Sequence, residues 1–252
     1  MIHFVGAGCG AADLITVRGQ KLIESADVII YAGSLVNPEL LESAKSGCEI
    51  HNSAYMTLEE VISVMQKAEQ QGKTTVRLHT GDPSVYGAIR EQIDALDVLH
   101  IDYDICPGVS SFCGAAAALK AEYTLPDVSQ TVILTRMAGR TPVPERESIA
   151  SLASHHATMV IFLSTGMLKE LSAQLMQGGY SPDTPAAIVY KASWKDEKIC
   201  RCTVAELAET ADKNHITKTA LITVGDFLGN DYALSKLYDA NFETEFRKAV
   251  KE

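Results

Sequence analysis

The run Arg77-Leu-His-Thr-Gly-Asp-Pro-Ser-Val-Tyr-Gly87 gathers more chemically able side chains than any other stretch of the chain: a guanidinium, an imidazole, a carboxylate, hydroxyls and a phenol. Arg77 and His79 alternate with Val76 and Leu78, the period of a strand. Gly81-Asp82-Pro83 cannot continue that strand, because Gly81 permits unusual backbone angles and Pro83 removes a ladder donor. The spacing of Val85, Ile89, Ile93 and Leu96 then predicts a helix over 84–96. An acidic turn is thereby placed at the carboxyl end of a strand, where open α/β sheets bind ligands. A carboxylate there suits a cation, a ribose or an amino group and repels phosphate. The plainer alternative is that Gly-Asp-Pro only caps the helix.

Two other loops carry polar groups at strand ends. Gly6-x-Gly8-x-x-Ala11 follows the apolar strand 2–6 and matches a dinucleotide fingerprint with alanine in its third place. That fingerprint also needs an acid at the end of the second strand. Asp27 has the right distance along the chain but lies at the start of that strand, which ends in Tyr31-Ala-Gly33. The next helix also starts late, near Thr16, so NAD and FAD are disfavoured. Pro107-Gly-Val-Ser-Ser111 opens a small-residue helix over 113–119, where Ser110 and Ser111 offer hydroxyls or merely cap.

Cations are few. Arg136, Arg140 and Arg146 cluster around the Gly/Pro-interrupted loop 135–145, and arginine grips carboxylates in bidentate fashion. Lys191 and Lys195 flank the lone Trp194. The six cysteines form no CxxC pair, although Cys200 and Cys202 share a strand face, and the seven histidines form no HExxH. The cysteines are read as reduced and packing, and no metal site is expected. His79 is as consistent with a packed strand face as with catalysis, and no catalytic base is assigned.

Alternating strands and helices must position these groups. Strands are expected at 2–6, 28–31, 76–79 and 101–105. Thr57-Leu-Glu-Glu60 forms a capping box for a helix with Leu58, Val61, Ile62, Met65 and Ala68 inward, closed by Gly72. This series predicts a mainly parallel sheet over residues 1–119. A composition break at 120–129 precedes strands at 131–135, 159–163, 187–191, 199–202 and 220–224. The polar loop between the strands at 187–191 and 199–202 marks a hairpin, so residues 120–252 are expected to form a second α/β domain with a mixed sheet.

The net charge of −10 argues against nucleic acid as a partner. No run of 18 apolar residues and no signal-like leader is seen, so no membrane partner is expected and a cytoplasmic location is.

Val5-Gly-Ala-Gly-Cys-Gly-Ala-Ala-Asp-Leu-Ile-Thr16, Arg77–Gly87 and Pro107–Ser111 together resemble the signatures of the tetrapyrrole methylases, with later runs in the same order and spacing. Within that family, Thr135–Glu145 and Ile30–Val36 are similar to the branch that C-methylates corrinoid precursors of cobalamin. The resemblance implies an S-adenosylmethionine-dependent methyltransferase acting as a homodimer, with two α/β domains and a cofactor cleft between them. It implies that Cys9, Gly81, Asp82, Val85, Ser110, Ser111, Leu163, Ala192 and Ala220 line the cofactor pocket. It assigns Tyr86, Arg136 and Arg140 to the tetrapyrrole, whose acetate and propionate arms need local cations. Cys9 stands where the family usually carries proline. Related scaffolds that modify macromolecules, a nucleotide-binding oxidoreductase and a non-catalytic binding protein are the competing readings.

Overall fold

Apolar strands with β-branched residues on both faces need cover on both faces, and the first sheet has it. The computed structural model describes residues 1–250, apart from the side chain of Ser34. Contacts divide the chain into two units, the first made of Met1–Ala115 with Lys191–Glu197.

This unit holds β1 (Ile2–Gly6), α1 (Val17–Ser25), β2 (Val28–Tyr31), β3 (Glu49–Asn52), α2 (Leu58–Gln70), β4 (Thr75–His79), α3 (Arg90–Val98) and β5 (Tyr103–Cys106), with α4 (Ser111–Leu119) following. The sheet order is β3-β2-β4-β1-β5, and every neighbouring pair is parallel. Val5, Ile29, Val76 and Leu78 pack with Ile23 and Leu40 on one face. Ile2, Phe4, Val28 and Ile30 pack with Val61, Met65 and Leu96 on the other.

Local signals work as the sequence predicts. Thr16 caps α1 by accepting from the Gly19 amide at 3.0 Å. Thr57 and Glu60 close the capping box of α2, with bonds of 2.7 and 3.3 Å. Two departures stand out. The edge strand β3, Glu-Ile-His-Asn, is half-exposed and polar, without the apolar run that announces a strand. The helix expected from Ser84 begins only at Arg90, because Tyr86 and Ala88 take φ of 57° and 49°, which no helix accommodates.

The second unit, Ala116–Tyr190 and the chain from Lys198 onward, holds β6 (Val132–Arg136), α5 (Ile149–Ala153), β7 (Thr158–Phe162), α6 (Leu168–Gln177), β8 (Pro185–Tyr190), β9 (Lys198–Thr203), α7 (Leu207–Lys213) and β10 (Ala220–Val224). Its order is β6-β7-β10-β8-β9. Only β6 and β7 pair in parallel, and β8–β9 is the expected antiparallel hairpin. Met159, Ile161, Ile188 and Ile222 pack beneath Leu171, Leu175 and Leu207 in its core. Cys200 and Cys202 lean against that core as partly buried packing residues.

Candidate active site

Three strand ends converge in the first unit, and glycine is what lets them. The loops after β1 and β4 are joined by reciprocal bonds, Gly8 N–H to the Gly81 carbonyl at 3.3 Å and Gly81 N–H to the Gly8 carbonyl at 2.9 Å. The loop after β5 presses on both. A Cβ on Gly108 would lie 2.2 Å from the Gly81 oxygen and 2.7 Å from the Gly6 Cα, and one on Gly6 would lie 2.5 Å from the Gly108 Cα, so neither Gly6 nor Gly108 can carry a side chain. Gly81 itself takes φ of 63°, the left-handed region that favours glycine.

Asp82 is the charged group on this backbone platform. Its Oδ2 accepts from the Gly108 amide at 2.8 Å, and its Oδ1 accepts from the Ser84 amide at 2.9 Å and from the Ser84 hydroxyl. Burial pushes the carboxyl up, but the bonds from Ser84 and Gly108 together outweigh it and hold it below the usual carboxylate range. An ionised carboxylate has about four acceptor positions, so these three donors leave room for a ligand hydroxyl or ammonium. Ser110 is buried, and the half-buried Ser111 is the first residue of α4.

Beyond Asp82, the chain runs through Val85, half-buried, and Tyr86, which is 46% exposed, before α3 begins. His79, at the end of β4, is 3% exposed and stacks on Phe4, with its Nε2 lacking a hydrogen-bond partner. Burial, and then the charge of Arg77, push its pKa down to about 3. An imidazole so weakly basic is a poor proton acceptor at neutral pH, which favours the packed reading of this residue.

Cys9 is buried, and its Sγ fills the space beside Gly114, where a Cβ would lie 2.7 Å away. The segment 191–197 closes against the glycine loop. Ser193 Oγ accepts from the Ala11 amide at 3.0 Å and lies 3.5 Å from Cys9 Sγ. A Cβ on Gly10 would meet the Trp194 ring at 2.4 Å and the Ala192 oxygen at 2.5 Å. Ala192 therefore lies against the same platform as Cys9. Ser193 is a contact that sequence reasoning missed; it is a short polar residue beside Ala192 with no pattern of its own. Lys191 pairs with Asp196 at 2.6 Å and sits over the Trp194 ring, and Lys195 pairs with Glu39 at 2.6 Å. Both lysines are thus engaged within this unit rather than standing as open cations.

The remaining candidates belong to the second unit. Leu163 follows β7 with φ of 53° and is 67% exposed, so it is not core. Ala220 opens β10, and its carbonyl accepts from Thr165 Oγ1 at 3.2 Å, which brings the turn after Leu163 to the start of β10. Arg136 donates to its own loop, from Nη1 to the Met137 and Thr141 carbonyls and from Nη2 to the Pro142 carbonyl, at 2.8–3.2 Å. Three of its five N–H donors are so engaged and two remain. Arg140 is exposed in the loop that Arg136 holds, and Arg146 faces Glu147 at 3.5 Å.

The donor set fits S-adenosylmethionine better than a dinucleotide. A carboxylate meets hydroxyl and ammonium groups, and the amides and hydroxyls at the start of α4 suit a carboxylate. Asp27 lies far from this edge in function as well as position: it accepts from the Thr74 amide at 2.8 Å and pairs with Lys45 at 2.7 Å, at the start of β2. A five-stranded parallel sheet with an acid-bearing turn at its carboxyl edge, followed by a mixed five-stranded sheet, defines a two-unit α/β protein of the methylase type. The chain belongs to the tetrapyrrole (corrin/porphyrin) methylases, whose family model matches residues 1–208. Among individual proteins, a cobalt-precorrin-4 C(11)-methyltransferase of Methanocaldococcus jannaschii is 59% identical over 252 residues, covering 100% of this chain and 97% of that protein. The X-ray structure of a cobalamin biosynthetic enzyme, cobalt precorrin-4 methyltransferase, matches with a TM-score of 0.89 at 48% identity, covering 91% of this chain and 96% of that one. A uroporphyrin-III C-methyltransferase from Thermus thermophilus, complexed with S-adenyl homocysteine, shares the fold at a TM-score of 0.73 and 22% identity, over 90% and 92% of the two chains. Among the described residues, no helix is long and apolar enough to cross a membrane.

Proposed function

We propose that this protein transfers a methyl group from S-adenosylmethionine to C11 of precorrin-4, in its cobalt-bearing form, as a step of cobalamin biosynthesis. The observation that carries this reading is the likeness, over the full chain, to a cobalt-precorrin-4 C(11)-methyltransferase at 59% identity. The acidic platform supports it, because Asp82 keeps an accepting position for a hydroxyl or ammonium group.

The cofactor supplies an electrophilic methyl group on a sulfonium, so the protein's work is orientation and exclusion of water. Cys9, Gly81, Asp82, Val85, Ser110, Ser111, Leu163, Ala192 and Ala220 are proposed to hold it. Asp82 takes the polar groups, the serines take the carboxylate, and the small residues let the adenosine lie against backbone. Tyr86 and Arg140 are proposed to meet the tetrapyrrole, and Arg136 adds its two remaining donors while shaping the loop. No covalent nucleophile is needed. The working form is proposed to be a cytoplasmic homodimer, which sedimentation of the purified protein tests.

Calorimetric titration with S-adenosylhomocysteine, with NAD⁺ in parallel, tests the cofactor assignment. Binding of the first alone is expected. Binding of NAD⁺ alone returns the glycine loop to the dinucleotide class and overturns the reading.

A further inference from the structure

The inner face of α3 carries a buried polar side chain that the scheme above does not use. Gln92 is 5% exposed. Its Oε1 accepts from Arg77 Nε at 2.9 Å, and its Nε2 donates to the Ala88 carbonyl at 3.0 Å. Arg77, itself 6% exposed, donates from Nη1 to the Ile30 carbonyl at 3.1 Å. A chain of hydrogen bonds thus runs from β2 through β4 and α3 to the loop that follows Asp82.

That loop needs holding. Tyr86 and Ala88 take φ of 57° and 49° on either side of Gly87, where a Cβ would lie 2.1 Å from the Pro83 oxygen. Non-glycine residues persist in such conformations only when their surroundings over-determine them. A primary amide of this reach can accept from a guanidinium and donate to a carbonyl together, which a carboxylate or an aliphatic chain cannot. Asp82 is anchored elsewhere, on Gly108 and Ser84. The carboxylate and Ala88 are therefore anchored separately.

We infer that Gln92 is a positioning residue for the methyl acceptor: through the Ala88 carbonyl it fixes the presentation of Tyr86, with Arg77 as its buried post. This rests on the methyltransferase reading in assigning Tyr86 to the tetrapyrrole.

The test compares Gln92→Glu with Gln92→Met. Glutamate keeps an acceptor for Arg77 and loses the donor to Ala88, whereas methionine loses both. Gln92→Glu is expected to raise the tetrapyrrole KM about threefold to tenfold, the worth of one neutral hydrogen bond. It should leave the S-adenosylhomocysteine Kd and the thermal midpoint near wild type, and speed amide exchange at 85–89 in the ligand-free protein. Gln92→Met should show the same KM and exchange changes with a lowered thermal midpoint. Wild-type KM and wild-type exchange in Gln92→Glu would show that Gln92 serves only to solvate Arg77, and would overturn the inference. Faster exchange in a protein whose wild type neither binds S-adenosylhomocysteine nor methylates the tetrapyrrole would uphold the anchor and remove its link to the acceptor.

Discussion

The acidic turn of the first unit and the arginine loop of the second are built on opposite plans. Around Asp82, backbone packs on backbone: Gly6 and Gly108 meet where no side chain fits, Gly81 takes a left-handed φ, and the carboxylate is fixed by amides and a hydroxyl. Around Arg140, the chain is exposed and held by side chains, the guanidinium of Arg136 on three carbonyls and the Ser164 hydroxyl on the Met137 amide. A fixed platform suits a cofactor of one shape. An exposed, charged loop suits a macrocycle with several carboxylate arms, where the presence of cations is what matters.

The largest effect that can break this contrast comes from a methyl group. Gly108→Ala places a Cβ against backbone that cannot yield, and is expected to cost about 3 kcal/mol in urea unfolding and to abolish S-adenosylhomocysteine binding. Gly139→Ala in the arginine loop, where the nearest atom is the flexible Met167 Cε at 3.5 Å, is expected to be tolerated in the same assay. Equal tolerance at both positions would erase the distinction. Next in size, Asp82→Ala is expected to weaken S-adenosylhomocysteine about 10- to 100-fold by calorimetry, the scale of hydrogen bonds to a charged group. Equal affinity in both proteins would remove Asp82 from the cofactor site.

A smaller, pH-dependent effect reports on the packing beneath the platform. The unfolded chain protonates His79 near its ordinary value of 6.5, while the native state resists until about 3. Native stability is therefore full above pH 6.5 and is lost as pH falls toward 3, by about 1.4 kcal/mol per unit through this group. Urea midpoints at pH 7 and pH 5 should converge in His79→Phe relative to wild type; an unchanged slope would place the acid sensitivity elsewhere. The smallest effect belongs to the loop. Arg140→Ala is expected to raise the tetrapyrrole KM about threefold to tenfold and to spare cofactor binding, as for one exposed ion pair or hydrogen bond. A cofactor defect in that variant would contradict the division of labour.

The residues that announce themselves in the sequence are those whose structure is set locally. The apolar runs of β1, β2 and β10 and the Thr57–Glu60 capping box carry their own instructions, and they form as expected. The glycine and acidic loops were legible because strand ends and breakers bracket them. What stayed hidden depends on partners far along the chain or on backbone signs that spacing does not encode. The Val85-Ile89-Ile93-Leu96 period is compatible with a helix, yet left-handed Tyr86 and Ala88 delay α3 to Arg90. Lys195 reads as an open cation until Glu39, 156 residues away, is found beside it. Ser193 meets Ala11 across 182 residues, and Arg136 turns onto its own loop, neither of which a residue type reveals.

The most direct test supplies cobalt-precorrin-4 and S-adenosylmethionine carrying a ¹³C methyl group to the purified protein, and locates the label in the product by NMR. The account predicts one labelled methyl, on C11, with stoichiometric S-adenosylhomocysteine. A label on another ring carbon, or no transfer by a protein that binds the cofactor, would contradict it.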